Sequence, residues 1–302
     1  MLRKLMYSLP DLKQSWLILL LFAGGQFAAA MLQLVIFNVF VGYDFGSGEL
    51  SDNEKYQAFE TAALPLTYTL AYIFPLMYLY WKGLRRLNSP LGEQLPEYDS
   101  IRLDRPRFGR MGLWAFIPVV ILLELAVIIL ISSLPEGMEM PEWFSSALEQ
   151  MYGTNIVFNL LTMSVLAPLL EEFLFRGVIL TGLMRRMDTW WAILWSSVLF
   201  GIAHLNPWQA LPAFVMGCLF GWIYVRTRSY WTVVAMHSLN NTLTIMVAAF
   251  FGPEVVSDET MQSMFGPQVT YIMLAVSALV LAAGIGLINK YISSDEKSDI
   301  SH

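Results

Sequence analysis

Eight apolar segments of membrane-spanning length make up more than half of this chain of 302 residues. About 20 apolar residues in a helix cross the hydrocarbon core of a bilayer, and a helix satisfies its own backbone hydrogen bonds there. Charged residues make up only 14% of the chain and are concentrated between these segments, whereas 56% of the residues are hydrophobic. The sequence therefore predicts an all-α fold, a polytopic membrane bundle of about eight transmembrane helices. The predicted spans are Trp16–Val41, Thr61–Trp81, Met111–Leu134, Asn155–Leu183, Thr189–Leu205, Trp208–Val225, Tyr230–Phe251 and Val269–Ile288.

The distribution of basic residues predicts how these spans are oriented. Lys and Arg accumulate in loops on the cytoplasmic side of a membrane. With both termini cytoplasmic, 16 of the 18 Lys and Arg residues fall on that side, all but Lys55 in an outer loop and Arg176 within a span. We therefore expect both termini in the cytoplasm. The net charge of −6 reflects acidic outer loops and an acidic tail, which argues against a nucleic-acid partner.

The polar residues divide the chain into three predicted regions. Residues 1–110 hold two spans and a cytoplasmic loop and form an N-terminal accessory region, whose first span is interpreted as an uncleaved signal anchor. Residues 111–289 form the membrane core, and residues 290–302 form a polar tail that we expect to be disordered. The motifs whose side chains could take part in a reaction lie within 155–251. Glu124 is the one acid in the first three spans, and we expect it to pair with a neighbouring helix or with water.

The run EEFLFR places three charged residues, Glu171, Glu172 and Arg176, inside the fourth predicted span. Charges within hydrocarbon are costly, so a chain that keeps them there usually uses them. Glu172 and Arg176 are four residues apart on one helix face and are expected to form an ion pair, which by itself would be a structural clamp. Glu171 points about 100° away and is predicted to face another group. Pro168 predicts a kink just before the acids.

Further polar groups lie in the following spans. His204 belongs to the fifth predicted span, four residues after Phe200, and His237 and Asn241 share one face of the seventh. A helix rises about 1.5 Å per residue, which places Glu171 about 21 Å and His204 about 24 Å from the cytoplasmic edge. The same estimate gives about 13 Å for His237 and about 19 Å for Asn241. The sequence therefore predicts that these groups meet in one layer, although each alone would also suit a hydrogen bond between helices.

A free carboxylate, two imidazoles and an amide are suited to the hydrolysis of a peptide bond by an activated water molecule. Glu171 would accept a proton from the water while His204 orients it. His237 and Asn241 would donate hydrogen bonds to the oxyanion that forms on the attacked carbonyl. The chain has no G-x-S-x-G turn and no H-E-x-x-H helix, but Glu171, His204 and His237 could together hold a zinc ion. The sequence leaves open whether zinc or side chains alone hold the water.

Three short motifs in these spans resemble, in their order, the motif set of the CPBP family. This family comprises the type II CAAX prenyl endopeptidases and the related bacteriocin-processing or immunity proteins. The resemblance covers roughly residues 155–251. It implies an intramembrane endopeptidase in which Glu171 is the water-activating acid and His204 its partner. It further implies that His237 and Asn241 bind the oxyanion. The motifs are E-E-x-x-x-R at Glu171, Glu172 and Arg176, F-x-x-x-H at Phe200 and His204, and H-x-x-x-N at His237 and Asn241.

The same resemblance bears on cofactor, partner and location. It implies that Glu172 and Arg176 organise their helix and that the substrate is a membrane-embedded or lipidated peptide or protein. The implied location is a bacterial cytoplasmic membrane. The family is commonly filed under metalloproteases, yet a metal-independent glutamate mechanism is also argued for it, so zinc stays open.

Two other interpretations fit the same residues. One is a non-catalytic membrane immunity or scaffold protein that keeps the fold. The other is a proton-coupled transporter in which Glu171, His204 and His237 relay protons. The two halves of the chain show no apparent repeat, which argues against a transporter built of inverted repeats.

Overall fold

The computed structural model describes residues 9–41, 54–87, 104–133, 140–153, 155–257 and 260–292. These residues form helices and their connections, and no strand occurs among them, which confirms the predicted all-α fold. Most of the tail predicted to be disordered and most of the loop after the second span lie outside the described residues. The helices are α1 (Leu12–Val41), α2 (Glu54–Leu70), α3 (Ile73–Leu87), α4 (Gly112–Ser132), α5 (Glu142–Gly153), α6 (Ile156–Met184), α7 (Thr189–Ile202), α8 (Pro207–Thr227), α9 (Tyr230–Phe251), α10 (Glu254–Ser257) and α11 (Met261–Tyr291).

Seven helical stretches in the described part of the chain are long and apolar enough to cross a membrane. They are α1, the consecutive pair α2 and α3, α4, α6, α8, α9 and α11. This result confirms a multi-pass membrane bundle. The fifth predicted span is shorter than expected, because α7 has only 14 residues. Such a helix is about 21 Å long, whereas the hydrocarbon core is about 30 Å thick.

Helix α7 ends early because the chain turns sharply into α8. The backbone N–H groups of His204 and Leu205 bond to carbonyls three residues back, and Leu205 has a positive φ of 58°. Asn206 then caps α8, since its side-chain oxygen accepts a hydrogen bond of 2.8 Å from the backbone N–H of Gln209. Pro207 follows at the first helical position, where no N–H is needed. The turn leaves His204 just beyond the end of α7.

The second predicted span is broken into α2 and α3. The backbone N–H of Tyr72 bonds to the carbonyl of Thr69, three residues back, whereas a continuous α-helix would reach four residues back. Gly25 of α1 lies against this break, and a Cβ at that position would collide with the carbonyl oxygen of Ala71. Glycine therefore allows the backbone of α1 to touch the break directly.

Helix α5 lies in a stretch that the sequence predicted as a loop. Phe144 and Leu148, four residues apart, are its buried residues. The Phe144 ring stacks on Trp208 with 5.1 Å between ring centroids. Two buried side chains are enough to dock one face of a short helix. The segment is too short and too polar to stand out as a membrane span by hydropathy.

Helix α6 contains two π-helical segments, which flank the acidic residues. They cover Leu160–Leu166 and Phe173–Leu180. A π-helical turn leaves backbone groups outside the usual hydrogen-bond ladder, and it often occurs at functional sites. Pro168, which was predicted to kink the helix, follows the first π segment and has no N–H to donate. The wider winding therefore ends at Leu166, shortly before the acids, and resumes at Phe173, directly after them.

Glu124 of α4 is completely buried. Neither carboxyl oxygen has a hydrogen-bond partner of normal geometry among the described residues. The main chain of Asn240 in α9 is a polar group beside it. The polar contact of Glu124 on a neighbouring helix is therefore a main-chain group, and no side chain among the described residues hydrogen-bonds to its carboxyl.

Replacing Glu124 by Leu is expected to raise the midpoint of thermal unfolding in detergent. A buried polar group without a partner costs about 1–3 kcal/mol, and leucine removes that cost at similar volume. Differential scanning fluorimetry of the purified protein measures the effect. Glu124→Ala, which leaves a cavity, is the control and is expected to lower the midpoint. A midpoint that falls for Glu124→Leu would mean that the carboxyl has a stabilising partner.

Candidate active site

The predicted ion pair between Glu172 and Arg176 lies at the centre of the bundle. Arg176 is 1% exposed and Glu172 is fully buried, and Nη1 of the arginine lies 3.0 Å from Oε1 of the glutamate. The second terminal nitrogen of Arg176 donates to the carbonyl of Gly217 at 3.3 Å. The guanidinium also lies over the Phe200 ring, 4.5 Å from its centroid. A charge buried this deeply needs several such partners, so the pair fixes α6 against α7 and α8.

Gly217 allows these three helices to approach each other. A Cβ at this position would lie 3.1 Å from Ser197 and 3.2 Å from Phe200, both in α7. Small residues commonly let membrane helices pack closely. Here the close contact brings the Gly217 carbonyl within reach of Arg176 and the Phe200 ring beneath the guanidinium.

His237 of α9 joins the same carboxylate. Its Nδ1 lies 2.9 Å from Oε1 of Glu172, the oxygen that also accepts from Arg176. Because a carboxylate only accepts hydrogen bonds, Nδ1 donates, and in the neutral ring Nε2 then has the lone pair. The predicted role of Glu172 was limited to its own helix. The structure adds that Glu172 also orients an imidazole from another helix.

Glu171 faces the other side of this imidazole. Its Oε2 lies 3.7 Å from Nε2 of His237, and this oxygen is buried without a hydrogen-bond partner among the described residues. Its Oε1 accepts a hydrogen bond from the hydroxyl of Tyr68 in α2. The prediction that Glu171 is turned away from the ion pair toward another group agrees with this geometry. The group next to it is His237.

Tyr68 and Tyr72 are residues that the sequence analysis missed. The two hydroxyl oxygens are 3.2 Å apart, so that Tyr72, Tyr68 and Glu171 form a continuous chain of hydrogen bonds. Tyrosines in membrane helices concentrate near the membrane surface. Two tyrosines four residues apart in the middle of an apolar segment are therefore unusual, and their position could have indicated that they bind polar groups inside the bundle.

His204 contacts Phe200 rather than the acids. Its Nδ1 lies 3.0 Å from the carbonyl oxygen of Phe200, and its ring meets the Phe200 ring edge-on with 5.2 Å between centroids. The Phe200 ring also meets the ring of His237, at 5.8 Å. Phe200 thus contacts both imidazoles and the guanidinium of Arg176. Within the described residues, no hydrogen bond joins His204 to Glu171, and its predicted partnership with that acid stays a prediction.

Asn241 binds the backbone of α6. Its side-chain nitrogen donates to the carbonyl of Met163 at 2.7 Å, inside the first π-helical segment. One turn of α9 away, the Ser238 hydroxyl donates to the carbonyl of Ser164 at 2.5 Å. Lipid offers no hydrogen bonds, so side chains must satisfy the groups that a π segment leaves unpaired. Asn241 therefore has a structural contact, and its predicted role at an oxyanion stays a prediction.

The sequence left open a zinc site formed by Glu171, His204 and His237. No group of three or more His, Cys, Asp and Glu side chains in the described part of the protein is arranged to hold a metal ion. Glu172 accepts a hydrogen bond from Nδ1 of His237, and Nδ1 of His204 faces the carbonyl of Phe200. Histidines that bind a metal through Nε2 commonly make such contacts at Nδ1, so the zinc site stays a prediction.

Comparison with known proteins finds a family match over the part of the chain that contains the motifs. The family model described as "Type II CAAX prenyl endopeptidase Rce1-like" matches residues 153–243. This segment contains all seven motif residues, from Glu171 to Asn241, and does not include Tyr68. No solved structure matches the chain.

Three curated bacterial proteins are similar to parts of the chain. The putative membrane peptidase YdiL of Bacillus subtilis (strain 168) is 34% identical over 84 residues, which are 28% of this chain and 34% of that protein. The membrane-embedded CAAX protease MroQ of Staphylococcus aureus (strain USA300) is 30% identical over 109 residues, 34% of this chain and 43% of the relative. The UPF0177 protein YxdF of Lactococcus lactis is 30% identical over 80 residues, 26% of this chain and 44% of the relative.

The chain thus spans less than half the length of each of these relatives. The family model matches the segment that contains the acids, imidazoles and amide. In this segment the chain is similar to the type II CAAX prenyl endopeptidases, and two of the partly similar relatives are named as a membrane peptidase and a membrane-embedded CAAX protease.

Proposed function

We propose that this protein is an intramembrane endopeptidase that hydrolyses a peptide bond with water activated by Glu171. One observation carries the proposal. Oε2 of Glu171 is buried, has no hydrogen-bond partner among the described residues, and lies 3.7 Å from Nε2 of His237. A water molecule can donate a hydrogen bond to this oxygen, and a carboxylate in this position can take its proton. The neighbouring Nε2 then remains for the oxygen of the attacked carbonyl.

The proposed role of His237 requires a hydrogen on Nε2. Its Nδ1 donates to Glu172, and Nε2 faces Glu171, so only the second ring nitrogen is placed to donate toward the reacting carbonyl. The two carboxylates beside the ring favour a positively charged imidazole during this step.

The proposed reaction uses these groups in sequence. Glu171 takes a proton from water, and the hydroxide oxygen adds to the carbonyl carbon of the scissile bond. The electron pair of the carbonyl moves to its oxygen, which accepts hydrogen bonds from Nε2 of His237 and from the second N–H of Asn241. Glu171 then gives its proton to the leaving nitrogen as the C–N bond breaks. His204, whose Nδ1 faces the carbonyl of Phe200, would accept a hydrogen bond from the water through Nε2.

The proposed substrate is a membrane-embedded or lipidated peptide or protein. The site lies within helices of membrane-spanning length, so a substrate that partitions into lipid reaches it without leaving the bilayer. A relative that is 30% identical over 109 residues is named a membrane-embedded CAAX protease. A cleft of about 610 Å³ opens at the beginning of α2 and α6, and the polar residues Gln57, Thr61 and Asn155 are among its lining residues. This cleft offers hydrogen bonds to a polar peptide segment or to water.

Glu171→Gln is expected to lower the cleavage rate at least about 100-fold, because the amide cannot accept the proton from water. The measurement compares membrane peptides by mass spectrometry in host cells that lack the gene and express either the wild-type protein or the variant. Peptides that accumulate with the variant then serve as substrates for the purified protein in proteoliposomes. Glu124→Gln is the matched control, a buried glutamate outside the cluster, and it is expected to cleave at the wild-type rate.

The same cells, together with proteoliposomes, distinguish the proposed protease from the two other interpretations, a scaffold or immunity protein and a transporter. A scaffold or immunity protein would work normally with Glu171→Gln and fail only when the gene is deleted. A proton-coupled transporter would show solute flux in proteoliposomes driven by a pH gradient. Either result, together with unchanged membrane peptides, would contradict the proposed hydrolysis.

Arg176→Met is expected to lower the free energy of unfolding by about 3–5 kcal/mol, because it leaves a buried carboxylate without its cation. The additional change Glu172→Gln removes that charge and is expected to restore part of the loss. Thermal unfolding in detergent of both single variants and the double variant measures the coupling between the two residues. Additive effects would contradict a direct ion pair.

Chelators are expected to leave the cleavage rate of the purified protein unchanged, because the described side chains do not form a set of metal ligands. The measurement incubates the protein with 1,10-phenanthroline before the proteoliposome assay. A loss of activity that added zinc restores would show that the site rearranges to bind metal.

A further inference from the structure

We propose that Tyr68 is a positioning residue for Glu171 and that the N-terminal helices therefore complete the active site. This inference rests on the proposed function of Glu171. The Tyr68 hydroxyl donates a hydrogen bond to Oε1 of Glu171, and the hydroxyl of Tyr72 lies 3.2 Å from that of Tyr68. Tyr72 is 1% exposed, so the outer end of this chain of hydrogen bonds is fixed in the core.

The contact at Oε1 decides which way the other oxygen points. The terminal torsion of a glutamate has a broad energy minimum, so a carboxylate with a single contact swings easily. In Glu171 the two oxygens face different partners, Tyr68 at Oε1 and Nε2 of His237 at Oε2. With Oε1 bound by a hydroxyl, Oε2 is the oxygen directed at the imidazole and at the proposed water. A misdirected base slows the reaction even when the substrate still binds.

Tyr68 is held in place by the junction between α2 and α3 and by α1. The break places Tyr72 immediately after α2, where its ring packs on the Tyr68 ring with 5.7 Å between centroids. The ring of Phe22 in α1 lies 4.8 Å from that of Tyr72. Gly25, one turn further along α1, lets the backbone of α1 touch the carbonyl of Ala71. A chain of contacts therefore runs from α1 through the break to the catalytic acid.

These helices lie outside the segment that matches the protease family. That match covers residues 153–243, whereas Tyr68 belongs to the region predicted to be an accessory part of the chain. The structure gives this region a specific task, because one of its hydroxyl groups contacts the proposed base. A tyrosine whose only role was to stabilise the contact between two helices would affect the free energy of unfolding and leave the chemical step unchanged.

The test measures kcat and KM in proteoliposomes for Tyr68→Phe, which removes one oxygen atom and keeps the ring. We expect kcat to fall about 10- to 100-fold, the value of one hydrogen bond to a charged group, with KM unchanged. Tyr72→Phe is expected to lower kcat less, and the double variant is expected to match Tyr68→Phe because Tyr72 acts through Tyr68. Tyr78→Phe is the matched control, since Tyr78 of the next helix packs against the hydrophobic core, and it is expected to keep the wild-type kcat.

The outcomes separate this inference from the proposed function. A wild-type kcat for Tyr68→Phe, or a loss in KM alone, overturns the inference if Glu171→Gln is inactive in the same assay. Activity of Glu171→Gln overturns the proposed function itself. Thermal unfolding of each variant shows whether it is folded. If Tyr68→Phe is not folded, Tyr72→Phe is measured instead. A wild-type kcat for Tyr72→Phe then overturns the inference.

Discussion

The burial of Arg176 is the constraint on which the rest of the bundle depends. A guanidinium with 1% exposure among membrane helices must find its counter-charge and its hydrogen-bond acceptors inside the protein. It finds them in Glu172, in the carbonyl of Gly217 and over the ring of Phe200. Two of these contacts fix another helix, α8 through Gly217 and α7 through Phe200. The same carboxylate then orients His237, so the requirement to neutralise one cation also fixes the imidazole beside Glu171.

Helix α9 supplies the second organising element. Side chains along it donate to the backbone of α6: Tyr230 to Leu169, Ser238 to Ser164 and Asn241 to Met163. The last two acceptors lie in the first π-helical segment, where carbonyls are left outside the regular ladder. The wide turns of α6 are therefore stable in lipid because α9 satisfies them. The π-helical backbone of α6 thus supplies carbonyl acceptors, and the polar side chains of α9 supply the donors that they need.

Much of this arrangement could be predicted from local spacing. Glu172 and Arg176 are four residues apart on one helix, so their pairing follows from helix geometry alone. The contact of His237 with both acids could not be predicted, because it depends on how α9 is rotated against α6. Tyr68 was missed for a related reason: it is far from the acids in sequence, and an apolar segment that contains tyrosines looks like any other span. The shortness of α7 depended on the cap at Asn206, a local signal that hydropathy does not register.

The length of α7 has a consequence for the surrounding lipid. A helix of 14 residues covers about 21 Å of a hydrocarbon layer about 30 Å thick, so about 9 Å of that layer has no helix from this segment beside it. A short hydrophobic element draws the head groups inward and thins the membrane around it. The end of α7 is where His204 sits. We therefore expect the bilayer to be thinner at the end of α7 nearest the candidate site, with head groups at depths that a full-length helix would keep dry.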